Sequence, residues 1–111
     1  DMIKRYDPCG DYPDEKILPL AEKIMRQAIA AGKGIEVNTS TLRYGLPGTF
    51  PSRRLLELYH DLGGRILTIG SDSHDTAHLA DLIPEVQSLL KEIGFREICT
   101  FEHMEPVFHR L

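Results

Sequence analysis

Arg65-Ile66-Leu67-Thr68-Ile69-Gly70-Ser71-Asp72-Ser73-His74-Asp75 is the stretch on which the reading of this chain turns. An apolar, β-branched run stops at a glycine and gives way at once to hydroxyls, carboxylates and an imidazole. Residues 65–69 have the make-up of a short buried strand. In extended geometry side chains two apart point the same way, so Asp72 and His74 are expected to aim an oxygen and a nitrogen donor at one point. That pair suits zinc, manganese or iron, ions that polarise a phosphoryl oxygen and acidify water. Ser71, Asp75 and His78 stand close enough to support the two ligands, with His78 four residues beyond His74 if a helix begins there. Capping explains part of the stretch equally well on spacing, because Ser71, Asp72, Ser73 and Asp75 all favour helix N-termini. Two ligands also fall short of the roughly three that a catalytic zinc takes from protein.

The sequence on either side supplies the frame. Upstream, a turn-rich loop over 7–13 precedes Ile17, Leu20, Ala21, Ile24, Met25, Ala28 and Ile29, whose spacing predicts an amphipathic helix capped by Asp14 and stopped at Gly32 and Gly34. Residues 35–38 read as a strand. A polar connection over 39–51 follows, and loops of that length are often functional. Its Arg43 offers a planar fork of donors to an anionic substrate, and Asn38 is a second candidate on the substrate side, although it could simply hold the turn that leaves its strand. Ser52 is expected to cap a helix built on Leu55, Leu56, Tyr59 and Leu62, ended by Gly63-Gly64. Downstream, Leu79, Leu82, Ile83, Val86, Leu89, Leu90 and Ile93 draw a third helical stripe, with Pro84 disturbing its early turns and Gly94 ending it. Residues 97–101 read as a third strand, followed by an irregular tail.

Helix and strand therefore alternate, the pattern of parallel α/β architecture, in which strand-end loops converge at the C-terminal edge. Both 35–38 and 65–69 run into polar residues at that edge. Glu36 could face solvent or a site, and no role is assigned to His60, His103 or His109. Composition narrows the partners. The 111 residues are 41% hydrophobic, with 13 basic and 17 acidic side chains mixed along the chain and a net charge of −4. One domain is expected, without a basic stripe for nucleic acid or anionic lipid and without a membrane-spanning run. Cys9 and Cys99 lie far apart with no CxxC spacing, which predicts reduced thiols and a cytoplasmic location.

Three segments, in order and spacing, carry a family resemblance: Gly34-Ile35-Glu36-Val37-Asn38-Thr39-Ser40-Thr41-Leu42-Arg43, Phe50-Pro51-Ser52, and Ile69-Gly70-Ser71-Asp72-Ser73-His74. Together they resemble the histidinol phosphatases of the polymerase and histidinol phosphatase superfamily. The opening Asp1-Met2-Ile3-Lys4-Arg5-Tyr6 is similar to that family's H-x-D-x-I-K-R-Y segment after its histidine, and Cys99-Thr100-Phe101-Glu102 through Pro106-Val107 to its last strand and tail. The resemblance implies a distorted seven-stranded β/α barrel, two or three divalent metal ions at its mouth, and hydrolysis of a small phosphomonoester, histidinol phosphate, in histidine biosynthesis. It also implies that Asp72 and His74 are metal ligands and that Arg43 meets substrate phosphate. The family's N-terminal H-x-H motif and its later glutamate and histidine ligands have no counterpart in residues 1–111. The expectation is therefore a single C-terminal segment of such a barrel, its N-terminal part missing. Such a segment is expected to be inactive alone and to be completed by that part or by self-association.

Overall fold

A computed structural model describes residues 6–7, 12–41, 45–46 and 48–111. Arg43, Cys9 and the opening residues 1–5 lie outside them. The first helix, α1, is Asp14–Ala30. Pro13 takes the N-cap place expected for Asp14, and Asp14 and Glu15 occupy the first turn, where carboxylates meet the positive end of the helix dipole. Ile17 and Met25 face the core, whereas Leu20 and Ile24 are 59% and 56% exposed, so the buried stripe is narrower than the apolar one.

Strand β1 (Ile35–Asn38) and strand β2 (Leu67–Gly70) are joined through helix α2 (Arg53–Asp61). The two strands pair in parallel, Ile35 opposite Leu67 and Asn38 opposite Gly70. Ser52 takes the N-cap place of α2 with an extended backbone (φ −62, ψ 159). Strand β2 begins two residues later than the apolar run. The carbonyl of Ile66 is nonetheless engaged, accepting from the amide of Ile35 at 3.1 Å and from the Tyr59 hydroxyl at 2.8 Å.

Beyond β2 the expected long helix is broken. A short 3₁₀ turn, Thr76–His78, is followed by helix α3, Ile83–Ile93. Ala80 and Leu82 adopt left-handed backbone (φ 62 and 60), which no helix interior tolerates, and Leu79 is 73% exposed. Pro84 therefore helps to start α3 rather than disturbing it: in the first turn its missing N–H costs no helical hydrogen bond.

The chain ends in a hairpin where an irregular tail was expected. Strand β3 (Glu97–Glu102) and strand β4 (Glu105–Arg110) pair antiparallel, with Cys99 opposite Phe108. His103 and Met104 form the two-residue turn at φ 49 and 70, a left-handed pair usually signalled by Asn-Gly, so the sequence hid it. The Cys99 thiol donates to the Leu67 carbonyl at 3.5 Å and ties β3 to β2. Parallel pairing thus holds for β1 and β2, while β3 takes an antiparallel partner.

Val37, Leu56, Tyr59, Leu67 and Leu90 are fully buried and form the centre of the core. His60, to which the sequence assigns no role, is half-buried with its ring edge-on to Phe95 at 5.0 Å. Gly64 packs so closely on Tyr59 that a Cβ there would lie 2.3 Å from Cζ of the ring. Overpacking of this kind costs about 1–3 kcal/mol, so Gly64→Ala is expected to lower the urea midpoint without changing the slope. Burial, first, and then the neighbouring Cys99 raise the Tyr59 pKa above its ordinary 10, outweighing the hydrogen bond to Ile66. The unfolded phenol therefore loses its proton before the folded one does. This contribution to stability is complete below about pH 10 and declines as pH rises above it. Denaturation curves are expected to show a steeper alkaline loss for the unsubstituted chain than for Tyr59→Phe; parallel losses would contradict it.

Candidate functional site at the strand-end edge

Parallel pairing puts the C-terminal ends of β1 and β2 side by side, and both open into polar loops. Asn38 leaves β1 through a turn that its own side chain holds: Oδ1 accepts from the amide of Ser40 at 2.9 Å. Thr39, Ser40 and Thr41 follow and are buried, each 2% exposed or less. Thr39 donates from its amide to the Gly70 carbonyl at 2.9 Å and from Oγ1 to the Asp81 carbonyl at 2.7 Å. The Thr41 hydroxyl bonds the carbonyl of Gly48. The hydroxyls of Thr39 and Thr41 are stable in burial because each finds a carbonyl.

The loop after β2 carries the predicted ligands. Asp72 is not extended but left-handed (φ 49), so the simple alternation expected for Asp72 and His74 does not apply. The two side chains meet all the same: Oδ1 of Asp72 lies 3.6 Å from Nε2 of His74, with the side chains 43% and 83% exposed. Asp75 performs the capping. Its Oδ1 accepts from the amides of Ala77 at 2.9 Å and His78 at 3.2 Å. Ser73 bonds the carbonyl of Asp75, and Ser71 Oγ accepts from the amide of Ala80 at 3.3 Å across the base of the loop. His78 does not stack one helical turn beyond His74; Nδ1 of His78 donates to Oδ2 of Asp81 at 2.7 Å.

Four expected residues, Ser71, Asp72, His74 and Asp75, therefore share this loop with His78, and Asn38 stands on the adjoining strand end. Among the described residues no group of three or more His, Cys, Asp or Glu side chains is placed to hold a metal ion. Glu36 is exposed on the same sheet face as Asn38, and its carboxylate lies against Gly70, where a Cβ would be 2.9 Å from Oε2. Thr39 and Asp81 were not singled out from the sequence. The hydroxyl-rich run Asn38-Thr39-Ser40-Thr41 was the available sign of a buried polar strap, whereas the partner of Thr39, a backbone carbonyl 42 residues away, leaves no trace in sequence.

Fold and loop geometry together define an α/β chain that gathers its carboxylate, imidazole and amide groups at the C-terminal edge of a parallel strand pair. No protein-family profile matches the chain. Its curated relatives include a probable histidinol-phosphatase of Thermotoga maritima, 42% identical over 77 residues, covering 68% of this chain and 32% of that protein. A histidinol-phosphatase of Lactococcus lactis is 31% identical over 111 residues, covering 95% of this chain and 39% of that protein, and a probable histidinol-phosphatase of Schizosaccharomyces pombe is 30% identical over 88 residues, covering 79% and 28%. The resemblance carried by the three sequence segments thus holds: the chain is related to a C-terminal portion of the histidinol phosphatases, and it spans about a third of the length of the relatives it matches.

Removing the cap tests the loop's local construction. Asp75→Ala deletes the acceptor for two amides at a cost of about 1 kcal/mol. Hydrogen exchange at Ala77 and His78 is expected to quicken while the β1–β2 amides keep their protection; unchanged exchange at both positions would contradict the capping role.

Proposed function

We propose that this chain supplies the aspartate and histidine corner of the metal centre of a phosphomonoesterase, a histidinol-phosphate phosphatase of the polymerase and histidinol phosphatase superfamily serving histidine biosynthesis in the cytoplasm. In this reading residues 1–111 form the C-terminal part of a seven-stranded β/α barrel with two or three zinc, manganese or iron ions at its mouth. The observation that carries it is the approach of Asp72 Oδ1 to His74 Nε2, 3.6 Å apart at a strand-end edge, in a chain related to histidinol phosphatases.

The donors fit the ion. Two ligand atoms each about 2.1 Å from one tetrahedral metal stand about 3.4 Å apart, slightly closer than here, and the exposed His74 ring has room to close the difference. Mixed nitrogen and oxygen ligation suits zinc, manganese and iron. When bound, a divalent ion supplies Lewis acidity toward phosphate and acidifies water.

The chain's own residues do the rest. Asp72 and His74 present the donors, while Ser71, Asp75 and His78 fix the loop that bears them. Asn38 stands beside the loop on the neighbouring strand end, and Arg43 supplies a charged fork for the phosphate of a small substrate. The further ligands that an ion needs come from the remaining two-thirds of a protein of the relatives' length or from a second copy of the chain. No helix among the described residues is long and apolar enough to cross a membrane.

Adding manganese or zinc is expected to raise the melting temperature saturably, since an ion held at 100 times its Kd stabilises the native state by about 2.7 kcal/mol. Asp72→Asn and His74→Ala should each abolish the rise. An unshifted melting curve for the unsubstituted chain completed by its N-terminal part would overturn the metal reading and leave an α/β module whose loop serves only to cap.

A further inference from the structure

We propose that Thr39 is a positioning residue for this site, a single buried residue that holds both feet of the loop carrying Asp72 and His74, one by its amide and the other by its hydroxyl. The loop leaves the sheet after Gly70 and rejoins the fold at Asp81. Thr39 bonds both ends, its amide donating to the Gly70 carbonyl at 2.9 Å and its hydroxyl to the Asp81 carbonyl at 2.7 Å. It is 1% exposed, so water cannot substitute for either partner.

Three features make this clamp consequential. The enclosed loop, residues 71–80, is compact with adjacent ends, the form of an Ω-loop whose tip depends on its base. Asp72 and Ala80, near its two ends, are held in left-handed backbone that non-glycine residues leave readily unless the surroundings fix them. The clamp's partners at the base are the longer Ser71–Ala80 tie at 3.3 Å and the partly exposed His78–Asp81 pair, neither of which reaches the sheet.

Thr39 also belongs to the exit of β1, next to Asn38. The clamp therefore sets the distance between the metal-bearing loop and the substrate side of the edge. That the loop bears a metal rests on the proposed function; the clamp itself does not.

Thr39→Val keeps the shape and the amide bond but removes the hydroxyl, and Thr39→Ser keeps the hydroxyl. Hydrogen exchange of the Ala77, His78, Ala80 and Asp81 amides, read against the β1 and β2 amides, and the Kd for manganese are measured for both and for the unsubstituted chain. Thr39→Val is expected to speed exchange of the loop amides about ten-fold relative to the strand amides, the scale of one lost buried hydrogen bond, and to weaken manganese by a similar factor. Thr39→Ser should restore both. Loop exchange that is unchanged, that rises only in step with the strands, or that serine fails to restore would overturn the positioning role. If the unsubstituted chain binds no manganese even with the N-terminal part supplied, the metal reading fails, while the exchange data still decide whether Thr39 holds the loop.

Discussion

The parallel pairing of Ile35–Asn38 with Leu67–Gly70 is the constraint on which the rest of the structure depends. Two four-residue strands cannot stand alone in water. Val37 and Leu67 make the pair viable by burying completely beneath the helices, beside Leu56, Tyr59 and Leu90. Tyr59 does more than fill space, because its hydroxyl reaches the Ile66 carbonyl just ahead of β2 and fixes how α2 sits on the strands. The register then decides the site. With Asn38 opposite Gly70, both polar exits leave from the same level of the same edge.

Stability and site chemistry are divided between two parts of the molecule. The helices and strands use ordinary geometry and apolar burial. The loop between β2 and α3 uses left-handed backbone at Asp72 and Ala80, with Leu82 completing the set at the entry to α3. Such conformations cost on the order of 1–2 kcal/mol each and persist only where neighbouring bonds over-determine them. Here those bonds come from Thr39, Ser71, Asp75 and the His78–Asp81 pair. A regular helix from Thr76 onward would relieve Ala80 and Leu82, though not Asp72, and it would move the Ala80 amide and the Asp81 carbonyl that Ser71 and Thr39 bond.

What was legible in the sequence follows from which forces are local. The helical stripes of Ile17 to Met25, Leu55 to Tyr59 and Val86 to Leu90 are repeated short-range patterns, and all three became helices. The run from Ile35 to Asn38 became a strand within the bounds its polar flanks imply. The hairpin did not announce itself, since His103-Met104 lacks the glycine or asparagine that left-handed turns favour. The early break before α3 was hidden for the opposite reason: Leu79 and Leu82 continue the apolar stripe, yet left-handed backbone at Ala80 and Leu82 overrides periodicity. At the site, adjacency in sequence brought Asp72 and His74 into view, whereas the tie from Thr39 to Asp81 exists only in three dimensions.

The alternation within the strands bears on what kind of sheet this is. A parallel strand covered by helices on both faces reads as nearly continuous apolar sequence. Ile35-Glu36-Val37-Asn38 and Leu67-Thr68-Ile69-Gly70 alternate instead, with Val37 and Leu67 buried on the helix side and Glu36, Asn38, Thr68 and Gly70 sharing the other face. A second helical layer would have to bury the Glu36 carboxylate, which is costly without a paired charge. A curved sheet whose inner face turns toward a polar mouth carries no such cost, and its inner face would include Asn38 and the carboxylate that lies against Gly70. The strand pattern therefore argues against a second helical layer over this face of β1 and β2, where Glu36, Asn38 and Thr68 lie together.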